Sequence, residues 1–476
     1  MTEVLKPDIC VIGAGSGGLS VAAAAASFGV SVVLLEKGKM GGDCLNYGCV
    51  PSKALLAAGK HAQAMRDAPQ FGVTMSGEPQ VNFRKVHDHV HGVIAAIEPN
   101  DSVERFTGLG VEVITEAGRF KDAKTVIAGD KEIRARRFVV ATGSSAFVPP
   151  IPGLDQVSYL TNENIFENTR KMKHLVVIGG GPIGMEMAQA HYRLGVEVTV
   201  LEGMKAMGQA DPELSAIVLE KLRKEGINIT EGAMVKNVER KGKTGVRVAY
   251  EKDGTQINID ASHILVATGR AANVDGLDLE KAGIKYSKHG IEVKRDLRTS
   301  NKRVYAIGDV AGGPQFTHVA GYHAGLVIRG LLFRKKAVPD HDIIPWAIYT
   351  DPEIGHVGFS EAQAREKYRD IKVLRWPYHE NDRAQAERKT TGLIKLITNK
   401  KGLIVGVSIA GVGAGEMINM WSLAITNKMK LGDVVGFISP YPTLSEMGKR
   451  AAITNYTPLA RKPTIRSVIR FLQKFG

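Results

Sequence analysis

Two cysteines that stand close together in the chain are the residues best suited to chemistry. Cys44 and Cys49 are separated by four residues and open a segment with helical propensity. A helix N-terminus lowers the pKa of a thiol and makes a thiolate available. A zinc site would need a second pair of ligands, and none accompanies this pair. The spacing therefore predicts a redox-active cysteine pair and no metal site.

Composition and hydropathy narrow the class of protein. The chain has 476 residues, is 44% hydrophobic and contains only three cysteines. It can form several cores but has no disulfide scaffold. Cys10 falls within an apolar run and is predicted to be a buried thiol. No run of eighteen apolar residues exists, and the N-terminus carries no signal-peptide pattern, so we expect a cytoplasmic protein.

The formal charge of +14 raises the question of nucleic-acid binding. Part of the charge has a local source, because five basic residues and no acid fall within the last sixteen residues. The sequence has neither a zinc-finger spacing nor an RNA-binding aromatic motif. We therefore expect no nucleic-acid partner.

A repeated pattern supplies the elements that must position the cysteines. Each copy consists of a strand, a glycine turn, a helix, a second strand and an acid. The first copy contains Gly13, Gly15, Gly18 and Glu36; the second contains Gly179, Gly181, Gly184 and Glu202. In both copies the acid lies 23 residues after the first glycine.

The three glycines of each copy have separate physical roles. The first permits a tight turn, the second lets a pyrophosphate approach the backbone, and the third lets helix and strand pack closely. The pyrophosphate is then held at the helix N-terminus, and the acid can accept hydrogen bonds from ribose hydroxyls. Residues 138–141 and 264–267 add a matching buried strand after each copy. The pattern predicts an α/β protein with two Rossmann-like domains that bind two dinucleotides.

In combination these motifs resemble the pyridine nucleotide–disulfide oxidoreductases, a family that includes dihydrolipoamide dehydrogenase, glutathione reductase and mercuric reductase. The resemblance extends from about residue 7 to 455 and rests on the glycine turns and on four further segments: 41–53, 141–143, 267–270 and 306–310. It implies a homodimer that uses FAD in the first copy and a nicotinamide cofactor in the second.

The resemblance also implies roles for single residues. Cys49 would face the flavin and Cys44 would meet the acceptor. Lys53, near the flavin, would pair with Glu186. The implied catalytic residues are Cys44, Cys49, Lys53, Glu186, Tyr441 and Glu446. The implied cofactor-binding residues are Gly13, Gly15, Gly18, Glu36, Lys37, Gly42, Asp43, Lys53, Thr142, Gly143, Gly179, Gly181, Gly184, Glu202, Gly269, Arg270, Gly308 and Asp309.

The second acid predicts the electron donor. Glu202 would repel a 2′-phosphate and accept a hydrogen bond from a 2′-hydroxyl, which favours NADH over NADPH. The resemblance further predicts five segments of the chain. They are an FAD-binding part (1–148), a nicotinamide-binding domain (149–271), an FAD-binding return (272–344), an α+β dimerisation domain (345–460) and a tail (461–476).

One position departs from most of the family. Lipoamide dehydrogenase and glutathione reductase have a histidine where this chain has Tyr441, followed by Pro442 and, further on, Glu446. A tyrosine, with an unperturbed pKa of about 10, cannot replace a histidine near neutral pH, so efficient dithiol oxidation is not expected. Tyr441 is predicted either to act in the site or to pack as an aromatic at the dimer interface. His318 and His379 are predicted to be structural.

Mercuric reductases also carry a tyrosine at this position, and Gln315 and Phe316 fit the same comparison. They end, however, in a cysteine pair, which this sequence does not show. Mercury reduction is therefore not favoured, and the predicted acceptor remains a disulfide or a metal ion in general. The C-terminal tail shows a separate pattern. Apolar residues recur there at helical spacing beside basic ones: Ile465, Val468, Ile469, Leu472 and Phe475 beside Arg466, Arg470 and Lys474. This basic amphipathic pattern leaves open a membrane-surface acceptor, or packing of the tail on its own domain.

Overall fold

The computed structural model describes residues 3–74, 76–335 and 338–475. The chain forms two compact units. One contains residues 1–203 and 232–339, and the other contains residues 204–231 and 340–476.

A five-stranded parallel sheet forms the centre of the first dinucleotide fold. Its order is Val304–Ala306, Arg137–Val140, Ile9–Ile12, Val32–Leu35 and Val111–Ile114. The strands Ile9–Ile12 and Val32–Leu35 are apolar at every position because both of their faces are covered. Ile9 and Val11 pack among residues of the helices Ser16–Ser27 and Thr317–Phe333. Cys10 and Ile12 lie in the core on the other side.

The second dinucleotide fold repeats this arrangement. His174–Ile178 pairs in parallel with Glu197–Glu202 and with His263–Val266. The helix Pro182–Arg193 follows the glycine turn. An antiparallel sheet packs in the same core as the parallel strands. Its strands are Met234–Lys241, Gly245–Lys252 and Thr255–Ala261. The two predicted repeats are therefore confirmed as α/β units.

The first unit has several further elements. Its other helices are Gly42–Asn46, Cys49–Asp67, Phe83–Ile97 and Val103–Gly108. A four-stranded sheet contains Glu3–Leu5, Lys131–Ile133, Thr125–Ala128 and Arg119–Asp122. Two short antiparallel pairs are Ser144–Ala146 with Arg270–Ala272 and Tyr286–Ser287 with Gly290–Ile291.

The second unit is built on a five-stranded antiparallel sheet. Its order is Trp346–Ile348, Glu353–Gly358, Ile404–Gly411, Leu393–Asn399 and Ile371–Pro377. Its longest helices are Pro212–Glu225 and Ala414–Thr426, which both pack on the sheet. Its other helices are Glu361–Lys367, Asp382–Ala386, Leu431–Gly436, Glu446–Thr454 and Pro463–Leu472, and Asn228–Glu231 is a further strand.

Residues 204–231 group with the second compact unit. A buried ion cluster helps to hold them there, since Lys395 is 4% exposed and its ammonium lies 2.7 Å from carboxylates of both Asp211 and Glu361. The five predicted segment boundaries stay predictions, because the two compact units are a coarser division.

Candidate active site

The two cysteines occupy the starts of two consecutive helices. Cys44 lies in the short helix Gly42–Asn46, and Cys49 is the first residue of the long helix Cys49–Asp67. Gly41, with a φ of +84°, permits the turn into the first helix. Both cysteines are free thiols here, and Cys49 is the more exposed of the two. The expected pairing of a thiol with a helix N-terminus is thus present at Cys49.

The two thiols interact and have opposite pKa shifts. A hydrogen bond from Cys44 is the main reason why the pKa of Cys49 falls to about 6. Thr317, whose hydroxyl oxygen lies 3.3 Å from the Cys49 sulfur, and the nearby Lys53 ammonium lower it further, against the effect of burial. The same hydrogen bond and burial raise the pKa of Cys44. In the reduced pair the negative charge therefore resides on Cys49 and the proton on Cys44.

Lys53 and Glu186 form the ion pair that the family resemblance implies. The Lys53 ammonium lies 2.7 Å from a Glu186 carboxylate oxygen. The Glu186 side chain is only 6% exposed, whereas that of Lys53 is 39% exposed. Lys53 is one helical turn beyond Cys49, so the same helix carries the thiolate and a cation that stabilises it.

The first glycine turn has the shape that a pyrophosphate requires. A Cβ on Gly13, where φ is +104°, would lie 2.5 Å from the Ala141 carbonyl oxygen. A Cβ on Gly18 would lie 1.8 Å from the Gly13 carbonyl oxygen. Around Gly15, by contrast, a Cβ would meet no atom within 4 Å. Gly15 is the N-cap of the helix Ser16–Ser27, whose free N–H groups favour an anion.

The second turn reproduces this geometry residue by residue. Gly179 has a φ of +110°, and its Cβ would lie 2.4 Å from the Ala267 carbonyl oxygen. A Cβ on Gly184 would lie 2.0 Å from the Gly179 carbonyl oxygen, and one on Gly181 would meet nothing within 4 Å. The two turns therefore fit two pyrophosphates, which is what FAD and a nicotinamide dinucleotide would each bring.

The acids that close the two copies also brace the turns. A Glu36 carboxylate oxygen accepts a hydrogen bond of 2.7 Å from the Ala14 N–H. A Glu202 oxygen accepts the equivalent bond of 2.6 Å from the Gly180 N–H. Each acid thus lies beside its glycine turn, where the sequence predicts a ribose contact, and holds the turn in place as well.

A polar network connects the cysteine segment to the residues predicted near the flavin. Arg270 donates to the Ser144 hydroxyl at 2.7 Å and lies 3.1 Å from an Asp43 carboxylate oxygen. Ser144 in turn donates to Asp309 at 2.5 Å. Burial raises the pKa of Asp309. Arg270, predicted to bind a cofactor, therefore also ties the residue before Cys44 to the strand Ser144–Ala146.

The remaining predicted cofactor residues lie at turns. Gly42, Gly143, Gly269 and Gly308 all have positive φ values. A Cβ on Gly42 would lie 2.7 Å from the Gly15 Cα. The Thr142 hydroxyl donates to the Asn273 carbonyl at 2.8 Å, and Lys37 is exposed. Their roles in cofactor binding stay predictions.

Tyr441 and Glu446 lie in the second unit and do not pair with each other. The Tyr441 hydroxyl donates to an Asp382 carboxylate oxygen at 2.9 Å, and the side chain is 68% exposed. The Asp382 carboxylate raises the pKa of Tyr441. Glu446 instead accepts hydrogen bonds from Arg450, at 2.7 Å and 2.9 Å. Within one chain Tyr441 is therefore neither a buried aromatic nor oriented by Glu446.

Sequence reasoning missed Thr317 and Asn162. Thr317 opens the helix Thr317–Phe333, directly after the Gln315 and Phe316 that the sequence singled out. Asn162 is 8% exposed and donates to Asp43 and to the Tyr47 carbonyl. Only the position of Thr317 next to Gln315 and Phe316 could have signalled it, and no local signal marks Asn162, because both come from segments far from the cysteines in sequence.

The sequence of this chain matches known proteins in two regions, which together contain the two dinucleotide folds, the cysteine pair and most of the second unit. Residues 7–324 match the family described as pyridine nucleotide-disulphide oxidoreductase. Residues 344–452 match the dimerisation domain of the same family. Together the two matches span most of the chain, so the fold and the site are those of a flavin-dependent, nicotinamide-linked reductase.

Individual relatives agree with this result. A mercuric reductase from Lysinibacillus sphaericus is 35% identical over 451 residues, covering 94% of this chain and 82% of that protein. A dihydrolipoyl dehydrogenase from Geobacillus stearothermophilus is 34% identical over 462 residues, covering 94% and 96%. The structure of the HOCl-induced flavoprotein disulfide reductase RclA from Escherichia coli superposes with a TM-score of 0.84 at 25% identity, covering 94% of this chain and 99% of that one.

The chain belongs to the pyridine nucleotide–disulfide oxidoreductase family, as the sequence motifs predicted. It is an enzyme, its cofactors are FAD and NAD(P)H, and its dimerisation domain indicates a homodimer. Within the described ranges, no helix has both the length and the apolar character needed to cross a bilayer.

Proposed function

We propose that the enzyme transfers electrons from NADH, through FAD and the Cys44–Cys49 pair, to a disulfide or a thiol-bound metal ion. The observation that carries this proposal is the geometry of the pair: two thiols that share a hydrogen bond start two consecutive helices. The Lys53–Glu186 ion pair lies one helical turn beyond Cys49. FAD would supply the hydride acceptor that couples the two-electron donor to the disulfide.

The residues around the pair divide the products of disulfide reduction. Two electrons break the sulfur–sulfur bond and leave one thiolate and, after one proton is taken up, one thiol. Cys49 retains the charge because Cys44, Thr317 and Lys53 stabilise it. Cys44 retains the proton because burial and the neighbouring thiolate raise its pKa.

Transfer to a disulfide acceptor then requires Cys44 to lose that proton. Its thiolate attacks one acceptor sulfur, releases the first acceptor thiolate and forms a mixed disulfide. The Cys49 thiolate then attacks the Cys44 sulfur, which closes the pair again and releases the second acceptor thiolate. A base is needed for the first of these steps, and a tyrosine whose pKa is raised by Asp382 is poorly suited to it.

This proton problem bears on the choice of acceptor. Soft metal ions bind thiolates directly and displace the thiol proton as they bind. Such an acceptor depends less on a dedicated base than a dithiol or disulfide does. We therefore rank metal ions and disulfides equally as acceptors, and we favour both over lipoamide dehydrogenase activity.

The donor preference rests on Glu202. Its carboxylate lies at the second glycine turn, where it bonds the Gly180 N–H. A 2′-phosphate placed there would meet a negative charge, whereas a 2′-hydroxyl would find an acceptor. We therefore expect a lower KM for NADH than for NADPH.

Anaerobic titration of the holoenzyme with NADH tests the electron path. The wild type is expected to take up about four electrons per FAD, two in the flavin and two in the disulfide, and Cys49→Ser about two. Cys10→Ala is the matched control, because Cys10 is the third cysteine and lies fully buried in the strand Ile9–Ile12. If wild type and Cys49→Ser both stop at two electrons, the acceptor takes electrons from the flavin and the proposed path is wrong.

A second candidate function is electron transfer at a membrane surface, and the C-terminal helix favours it. In the helix Pro463–Leu472 the apolar side chains Val468, Ile469 and Leu472 are about half exposed or more, at 57%, 48% and 58%. The tail therefore does not bury this face on its own domain. Its basic side chains complement an anionic lipid surface, into which the apolar face could insert.

Vesicle sedimentation separates the two candidates. We expect the full-length enzyme to sediment with vesicles of anionic lipid and not with neutral ones, and a chain truncated after residue 460 to remain in solution. If loss of binding leaves turnover of soluble acceptors unchanged, the membrane contact is separate from catalysis. A shift of the oligomeric state on truncation, with no vesicle binding, would mean that a second copy covers this face instead.

A further inference from the structure

A cluster of two histidines and one glutamate lies in the first unit, on elements that carry neither cysteine. His87 and His91 stand one turn apart on the helix Phe83–Ile97, and Glu167 belongs to the short 3-10 turn Ile165–Glu167. One ligand atom from each lies within 4.8 Å of the other two. The histidine Nε2 atoms are 3.9 Å (His87) and 3.6 Å (His91) from the two Glu167 carboxylate oxygens.

The His91 Nε2 atom is buried without a hydrogen bond to any described residue. Its 3.6 Å separation from Glu167 is too long for one. A buried imidazole nitrogen normally has a partner, because leaving it unsatisfied costs about 1–3 kcal/mol. A metal ion in the space between these atoms would satisfy the nitrogen and neutralise the carboxylate together.

Asp88 supplies a feature typical of histidine ligands. Its carboxylate oxygen lies 3.3 Å from the His87 Nδ1. A carboxylate on the far nitrogen of a ligating imidazole fixes the tautomer and leaves the other nitrogen free to bind the metal. In this helix the arrangement leaves His87 Nε2 facing Glu167.

We infer that His87, His91 and Glu167 form a binding site for a divalent transition cation of the Zn²⁺ class. Such ions take imidazole nitrogen and carboxylate oxygen at about 2.0–2.2 Å. Ligand atoms of a tetrahedral site at that distance are about 3.3 Å apart, so the two histidine–glutamate separations of 3.9 Å and 3.6 Å need to shorten by about 0.6 Å and 0.3 Å. Three protein ligands and the half-exposed position of the cluster leave a fourth place for water.

Such an ion would tie together two segments that are distant in sequence. The helix Phe83–Ile97 packs against the helices that carry Cys44 and Cys49. Glu167 precedes the first strand of the second dinucleotide fold. The bound cation would therefore link the helix Phe83–Ile97 to the segment that leads into that fold. The prediction of no metal site rested on the spacing around the cysteines, which carries no information on ligands that meet only in the folded chain.

Equilibrium dialysis against Zn²⁺ tests the site in the untagged holoenzyme. The Cys44→Ser/Cys49→Ser background is used so that thiols cannot contribute to binding. We expect about one Zn²⁺ per chain, and at least a tenfold weaker Kd after His91→Ala or Glu167→Gln, since even the loss of a supporting partner costs 10- to 100-fold. We expect Asp88→Asn to weaken the Kd for Zn²⁺ by about 10- to 100-fold, because Asp88 is such a supporting partner.

His89→Ala is the matched control. His89 is an exposed histidine on the same helix and lies outside the cluster, so its removal should leave the Kd unchanged. Glu167 is also exposed, so Glu167→Gln tests the site without emptying a core position. Binding well below one Zn²⁺ per chain, or equal affinity in His91→Ala, Glu167→Gln and His89→Ala, would overturn the inference.

Discussion

The cysteine segment and the Tyr441 segment differ in how their reactive groups are supported within one chain. Around Cys49, a thiol, a hydroxyl and an ammonium act together to lower the pKa of the sulfur to about 6. Around Tyr441, the exposed Asp382 carboxylate is the main reason why the pKa of the hydroxyl is raised. Glu446, the carboxylate that could orient the side chain at position 441, forms an ion pair with Arg450 instead.

Electron transfer and proton transfer therefore depend on separate parts of this enzyme. The Cys49 thiolate is stabilised by three neighbours from three helices: Cys44, Thr317 and Lys53, the last on its own helix. At position 441, where relatives such as lipoamide dehydrogenase carry a histidine, this chain has a tyrosine, which is a poor proton acceptor near neutral pH. Four substitutions test this contrast.

Cys44→Ser should have the largest effect. A serine hydroxyl cannot form the mixed disulfide, so we expect kcat/KM for a disulfide acceptor to fall by at least about 10³-fold. Rapid reduction of the flavin by NADH should continue, which stopped-flow absorbance would measure. Cys10→Ala should behave as the wild type. Acceptor turnover that survives in Cys44→Ser would show that the cysteine segment is not on the path.

Tyr441→His should introduce the missing proton acceptor. General acid–base groups contribute about 10²–10⁴-fold, but Glu446 is engaged by Arg450 and cannot readily orient the new imidazole. We therefore expect only about a tenfold gain in dihydrolipoamide oxidation at pH 7. Tyr441→Phe is the control and should show no gain. A large loss of activity in Tyr441→Phe would instead show that the tyrosine hydroxyl takes part in the reaction.

Thr317→Val should weaken the support of the Cys49 thiolate. Loss of the hydroxyl at 3.3 Å should raise the pKa of Cys49 from about 6 by about one unit. The rate at which iodoacetamide alkylates the reduced pair should then fall at pH 6 and stay nearly unchanged at pH 9, where the thiolate is complete in both proteins. Thr317→Ser keeps the hydroxyl and should retain the wild-type profile; coincident profiles for Thr317→Val would contradict the assignment.

Asp382→Asn should have the smallest effect. Because the Asp382 carboxylate raises the pKa of Tyr441, its removal should lower that pKa towards the ordinary value of about 10. Absorbance titration at 295 nm, with Tyr441→Phe subtracted to isolate this residue, would measure the change. An unchanged titration would mean that Asp382 does not hold Tyr441 in solution.

Much of the fold was predictable from local pattern. Apolar runs such as 9–12 and 32–35 became buried parallel strands, because a strand covered on both faces must be apolar throughout. The glycine spacing predicted both turns for an equally local reason. Gly13 and Gly18 lie too close to neighbouring backbone to tolerate a Cβ. The pairing of Lys53 with Glu186 came from resemblance, and the structure places the two charges 2.7 Å apart.

Other features depended on residues that meet only in the folded chain. Thr317 beside Cys49, Arg270 beside Asp43, and Glu167 beside His87 and His91 all join segments far apart in sequence. The joining of residues 204–231 to the second unit is of the same kind. The two nucleotide folds, the family and the position of the cysteine pair could be predicted from the sequence, because they depend on periodicity and spacing along the chain. The thiol that holds the charge and the carboxylate that meets Tyr441 could be identified only in the folded chain, since pKa values are set by neighbours in space.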